Sequence, residues 1–383
     1  MTHRPTTAPS DAAAHPTAAH PTAAVDPARP RVWTRTTLAL TIGVLILGLG
    51  FILSYVGAFH HPTPHRVDLA VVAPAGESSQ IVSRLNALPG TPLHARTVGG
   101  GVAARRLVEQ DRTTAAFLIS SRGHRDRLLV AAGGGAALSA AVQSVVTTFD
   151  ARQRRTVHSV DVAPLQTGDY HGLTGFYLVV GWLVAGYLLA AILGITLGPR
   201  AATVRDATSR LVAVAPYSIV AGIGGALIVD TLLRAQTGHF LAVAGVGALL
   251  VFAAASVTIA LETLLGVAGI GLAILLYVVL GNPSAGGAYQ DPLLPGFWRA
   301  IGNALPNGAG VDTIRRIVYF GSHGIAGHLI LIGAYCLAAT AVTLLATRHR
   351  SPARPRVSPT GVSSDPGPSG SWCPSRDRCG AAG

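Results

Sequence analysis

Between Thr36 and Phe59 the chain runs TTLALTIGVLILGLGFILSYVGAF without one charged side chain. A helix rises about 1.5 Å per residue, so this run exceeds the roughly 30 Å of a bilayer's hydrocarbon core. In lipid every backbone N–H and C=O must be satisfied within the segment, and a helix does that. The stretch therefore predicts a transmembrane helix over 36–59. A secretory signal is the competing reading, because Arg29, Arg31 and Arg35 precede the run and VGA at 56–58 resembles a cleavage site. The run is longer than the roughly 7 to 15 apolar residues of a signal, which favours an uncleaved anchor.

Five more apolar runs follow, at 173–197, 211–233, 239–261, 263–281 and 326–346. Those over 239–281 form one block interrupted only by Glu262, too long for one crossing, so a tight turn is expected near Glu262. Half of the residues are hydrophobic and 12% are charged, against about 25% charged in soluble domains. The predicted fold class is an α-helical polytopic membrane protein. It has six transmembrane helices, with an extracytoplasmic α+β domain inserted between the first and second.

The inserted domain is assigned to 60–172, where charges return. RVDLAVVAP, AAFLIS, RLLVAA and VHSVDVAP read as strands, and ESSQIVSRLNAL and ALSAAVQSVVTTFDARQ as helices. HHPTPH at 60–65 carries metal-binding residue types, but its prolines deny it a regular ligand face, and it reads as a solvated linker. The membrane domain spans 173–347, with an external segment over 282–325. Residues 1–35 and 348–383 are rich in Pro, Ala, Ser, Thr and Gly and read as disordered cytoplasmic tails. Cys373 and Cys379 fall in the second, as an incomplete zinc set.

Every basic residue is Arg, with no Lys anywhere, and the formal net charge is +12. The arginines are scattered between apolar runs and form no stripe with interleaved aromatics, so nucleic acid is not the expected partner. Membrane lipid is. With six spans, Arg29, Arg31 and Arg35, then Arg200, Arg205 and Arg210, then Arg348, Arg350, Arg354 and Arg356 all fall on one side. By the positive-inside rule that side is the cytoplasm, placing both termini there in a multi-pass plasma-membrane protein.

Without Lys the chain cannot build a P-loop, so ATP hydrolysis by that route is excluded. GVAGIG at 266–271 lies inside a membrane run and reads as close helix packing. No G-x-S-x-G, HExxH or paired intramembrane acids occur. No enzyme activity, catalytic residue, metal or cofactor is expected. The intramembrane ionisable candidates are Asp230, Arg234 and Glu262. Asp230 and Arg234 stand four residues apart and are expected to pair. Glu262 is expected at the inner turn, as an interfacial or partner-contacting carboxylate.

The segment GNPSAGGAYQDPLLPGFWRA, 281–300, breaks the apolar pattern. Asn282, Pro283, Gly286 and Gly287 predict an exit turn at the outer surface. Phe297–Leu305 and Gly310–Phe320 read as short helices separated by Pro306, Asn307 and Gly308. Phe297, Trp298, Tyr319 and Phe320 suit the headgroup layer, with Arg299, Arg315 and Arg316 available to phosphates. Asp312 is within helical reach of Arg315 or Arg316. The pair of helices is expected to form an outer gate or a cover over the bundle.

This segment, continued as IGNALPNGAGVDTIRRIVYF, resembles membrane proteins of the type-2 ABC exporter permease superfamily, in particular the actinobacterial branch of YhgE/Pip-like (phage-infection-protein-like) proteins. The order of parts is similar over about 36–347. The resemblance implies a permease subunit that dimerises and moves a hydrophobic or amphiphilic substrate outward with a separate cytoplasmic ATPase chain. It implies ATPase contacts in 198–210, with Arg200, Arg205, Asp206 and Arg210 as candidates. The chain departs from the pattern before its first span, where DPARPRVWTRT is too short and Pro-rich for an amphipathic interfacial helix. The alternative is an ATPase-uncoupled receptor or an envelope or secretion accessory protein with a permease-like fold.

Overall fold

A computed structural model describes residues 34–350. Most of both expected tails, with Cys373 and Cys379, lies outside the described residues. Among these, five helices are long and apolar enough to cross a membrane, as in a polytopic membrane protein. They are α1 (Arg35–Phe59), α5 (Thr174–Leu197), α6 (Val204–Leu232), α7 (Phe240–Leu265) and α11 (Ala326–Arg350). A shorter apolar helix, α8 (Ala268–Ser284), lies between α7 and the last segment.

Residues 67–161 form a five-stranded sheet. Its strands are β1 (Val67–Val72), β2 (Leu93–Thr97), β3 (Ala115–Leu118), β4 (Arg125–Val130) and β5 (Thr156–Asp161), in the order β2-β1-β3-β4-β5. β1 runs parallel to β2 and β3, β3 pairs antiparallel with β4, and β4 runs parallel to β5. Helices α2 (Ser78–Asn86) and α4 (Ala136–Ala151) cover one face through Leu85, Leu138, Val142 and Val146. Helix α3 (Gly101–Glu109) covers the other through Ala104 and Val108. Both faces are buried, so alternate residues of β1 and β3 divide between two apolar layers. Four strands and two helices lie where the hydrophobic pattern puts them. β2 and α3 are additions: LHART buries only Leu93 and Ala95, too weak a period to read.

In the bundle α7 is central, packing on α5, α6 and α11. Small residues allow the approach. A Cβ at Gly222 would lie 2.4 Å from the Ala244 carbonyl oxygen, and one at Gly186 would lie 2.5 Å from that of Val251. The bundle has two chemically distinct ends. At one, Arg210 donates to the carbonyls of Leu197 and Gly198, and Arg350 to those of Thr263 and Leu264. At the other, Tyr319 and Gln236 meet Asp169 just before α5.

Glu262 lies inside α7, correcting the expected turn there. The chain reverses at Gly266, whose φ of 68° is a conformation that Cβ-bearing residues avoid. α8 then runs back from the arginine end toward the sheet, and its 17 residues span roughly 25 Å.

The 282–325 segment also differs from expectation. Asn282, Pro283 and Ser284 continue α8 and are buried, so the turn expected over 282–287 comes at its end, at Gly286 with φ 70°. The first short helix is α9 (Gly296–Gly302). The second, α10, runs Pro306–Tyr319, so Pro306, Asn307 and Gly308 open a helix where the sequence suggested a break. Proline at the first helical position loses no hydrogen bond that the helix would make. α10 is buried between bundle and sheet: Ile314 and Ile317 join the bundle core, while Phe320 joins the α3-side cluster of the sheet. Trp298 is likewise buried, against Ala58 of α1 and Leu294, and does not face headgroups. Phe297 is exposed.

Candidate ligand groove in the helix bundle

Trp182 on α5 lines an opening in the bundle. Its indole lies against Gly225 of α6 and Gly247 of α7, where a Cβ would come within 2.5 and 2.4 Å of ring atoms. Its Nε1–H donates to the Ala221 carbonyl at 3.0 Å, so the buried polar edge is satisfied. Beyond Gly225, α6 widens into a π-helical stretch, Leu227–Leu232, and the chain turns at Arg234 with φ 51°. Such widenings mark functional sites often enough to direct attention to this one.

Between α5 and the widened end of α6 lies a cavity of about 730 Å³, lined by Tyr177, Gly181, Trp182, Ile228, Val229 and Leu233 among others. The walls are predominantly apolar, and the volume falls within the roughly 300–1,000 Å³ of small-molecule sites. It is open to the surface, since its lining residues Tyr177, Ile228 and Leu233 are themselves exposed. A Cβ at Gly181 would meet no atom within 4 Å, so this glycine faces the open space.

The sheet-side end of the groove is tied down by Asp169, which is fully buried. Its Oδ1 accepts the Thr174 backbone N–H at 2.9 Å, and its Oδ2 accepts Gln236 Nε2–H at 2.8 Å and the Tyr319 hydroxyl at 2.5 Å. Burial, then the Asp169 carboxylate, raises the Tyr319 phenol above its ordinary value. Three chain segments thus share one carboxylate, and α5 begins where that carboxylate holds Thr174. Nothing in the sequence pointed to Asp169, a single acid at the start of an apolar run.

Asp230 and Arg234 do not pair. Asp230 accepts the Gly238 backbone N–H at 2.8 Å, because the π-helical stretch and the left-handed turn at Arg234 remove the helical spacing. Glu262 is buried rather than interfacial, against Gly194 of α5. Residues 204–210 are the first turns of α6 rather than a loop. Asp206 closes a capping box with Thr203, and Arg210 is buried on carbonyls, so both are committed within the fold. Arg200 reaches the Leu264 carbonyl at 3.5 Å, and Arg205 is exposed.

Around α10 the charges pair internally. Arg315 binds Asp312 at 2.7 Å, at the expected helical spacing, and also donates to the Gly286 carbonyl. Arg316 binds Asp111 of the sheet region at 2.8 Å. Neither is left for lipid phosphates, while Arg299 is partly exposed. Burial, opposed by Arg316, raises Asp111 above its usual range. Burial and then Asp312 push Asp291 up to about 6. Gln290 accepts the Leu138 N–H at 3.2 Å, a junction residue that the sequence did not mark. Asn282 and Asn307 form a buried amide pair at 3.0 Å. Gly287 and Gly308 leave room for Phe176 and the Gly302 carbonyl.

Comparison of the chain with known protein families, with curated proteins and with solved structures finds no match.

Proposed function

We propose that the chain is a permease-type subunit of the plasma membrane that binds a hydrophobic or amphiphilic molecule in the α5–α6 groove and passes it outward. The observation that carries this reading is the groove itself: apolar, about 730 Å³, and lined by exposed apolar residues of two helices whose outer faces are apolar. A molecule partitioned into lipid would enter it without crossing water. In this reading α8 makes a sixth crossing, the arginine end faces the cytoplasm, and the sheet and the 282–325 segment lie outside. A separate ATPase would dock at the turn between α5 and α6, where Arg205 is exposed. The homodimer and the YhgE/Pip-like kinship belong to the same proposal.

Gly181→Leu tests it. The new side chain starts from a position with no atom within 4 Å, so it narrows the site without displacing packing at its Cβ. Protein purified from membranes is compared by native mass spectrometry for co-purifying apolar molecules, and cells carrying each form by profiling of exported lipids. Wild type is expected to retain and export a compound that the well-folded variant does not. Identical profiles would reject the groove as the substrate site. A retained compound without export would favour the uncoupled receptor.

A further inference from the structure

The sequence suggested an interfacial Glu262 at an inner turn, and the structure puts it in the last turns of α7 with 2% of its surface exposed. Its Oε1 is buried with no hydrogen-bond partner. Space for the carboxyl is provided by Gly194 on α5, where a Cβ would come within 2.2 Å of that oxygen. α8 closes the other side through Gly269, packed on the backbone at Leu261 and Glu262. Three guanidinium groups face this end of the bundle, and among the described residues none forms an ion pair with Glu262. Arg210 of α6 spends its donors on the Leu197 and Gly198 carbonyls at 2.9 and 2.8 Å. Arg350 of α11 donates to Thr263 and Leu264, and Arg200 to Leu264.

A charged carboxylate in that position would be desolvated and unpaired while cations nearby are held by neutral carbonyls, an arrangement that burial penalises heavily. A neutral carboxylic acid resolves the conflict. An ionised one would be tolerated if a guanidinium facing this end turned to it, and Arg210 of α6 can do so only by releasing the carbonyl end of α5.

We propose that Glu262 is a proton-binding site coupled to the α5–α6 turn. In the state described here the carboxyl carries the proton and Arg210 caps α5. In the alternate state the O–H bond breaks, and the proton leaves to water at the arginine end. Arg210, still cationic, pairs with the carboxylate, and the freed Leu197 and Gly198 carbonyls let residues 198–203 open. The inference goes beyond the transport reading and uses no substrate.

The test uses the full chain in phospholipid nanodiscs, in an Asp150→Asn background so that the sheet's own titrating acid is silent. Infrared difference spectra between about pH 5.5 and about pH 8.5 are expected to lose a protonated-carboxyl carbonyl band that is absent from Glu262→Gln. A cysteine at Ala201, with Cys336, Cys373 and Cys379 replaced, is expected to react faster as that band disappears. In Glu262→Gln it should stay slow at every pH. Should Glu262→Gln fail to fold, Gly194→Ala serves, because its Cβ pushes the carboxyl off α5 toward Arg210. The band should then vanish at lower pH and position 201 should react throughout. The proposal is overturned if no band depends on Glu262, if labelling is the same with and without it, or if Gly194→Ala titrates as wild type. A null result for Gly181→Leu in export would leave this site standing.

Discussion

Replacing Asp150 with Asn should remove a pH dependence from the sheet. Asp126 lies at the start of β4, and Arg155 grips both its carboxylate oxygens at 2.5 Å while also donating to the Ser120 carbonyl. Burial opposes the charge of Asp126, but the bonds from Arg155 and the Ser120 N–H outweigh it and hold the group below its usual value. Asp150, at the end of α4, is buried beside it with Oδ2 unpartnered. Burial first, and then the hydrogen bond and charge of Asp126, push Asp150 up to about 7. The two carboxyls titrate as a coupled pair, with the proton favoured on Asp150.

For an acid whose folded value is raised, the folded state binds the proton more tightly. The stabilisation is full below the unfolded value near 3.8 and is lost as pH rises through about 7. From about pH 5.5 to 7 the loss has a ceiling of ~2 kcal/mol. Water reaching the small pocket between Glu77, Gln153 and the pair, about 60 Å³, screens the charges and brings it to ~1 kcal/mol. The assay is hydrogen exchange on the intact protein, read at the last turns of α4 and corrected for the intrinsic rate. Wild-type protection should fall roughly fivefold between about pH 5.5 and 8. Asp150→Asn keeps a donor toward Asp126 without the charge, so its protection should be flat. A flat wild type, or an unchanged slope in the variant, would refute the reasoning.

Trp298→Ala should leave a cavity beneath Ala58 and Leu294 and loosen residues 50–59 from α8 and α9, by about 3–5 kcal/mol for a buried aromatic. Faster hydrogen exchange in the last turns of α1, with α7 unchanged, would verify it. Arg205→Glu should weaken co-purification with a cytoplasmic ATPase several-fold while leaving the melting temperature unchanged, since Arg205 is exposed. An unchanged complex would move the dock away from the α5–α6 turn.

The long helices and most of the sheet were legible because each signal is a period repeated over many residues. Leu69, Val71 and Phe117 alternate along buried strands, and α5 to α7 are apolar almost without interruption. The readings that failed depend on who packs against whom. Trp298 has the composition of a headgroup anchor, and its packing with Ala58 across the chain and with Leu294 makes it a core residue. Arg210 resembles a partner-facing cation until the α5 carbonyls accept it. Asp230 and Arg234 have helical spacing, but a π-helical stretch cancels it. The groove was invisible because its width comes from the same stretch and from Trp182 seated on glycines of two other helices.

The glycine-rich 281–310 segment acquires a different meaning from the surface turn its composition suggests. A Cβ at Gly281 would strike Asn307, one at Gly287 would strike Phe176, and one at Gly302 would come within 2.2 Å of the Ser284 carbonyl oxygen. These glycines bring backbones together, and the layer they build is fastened on both sides. Arg315 holds Gly286, Asn307 holds the Tyr277 carbonyl freed by the widened α8, and Arg316 holds Asp111 in the turn before β3. α10 carries all three of these side chains on one continuous helix. The Asp111 turn before β3 and the end of α8 are therefore both held by one continuous helix. Packed interfaces of this kind shift between discrete arrangements rather than deform gradually.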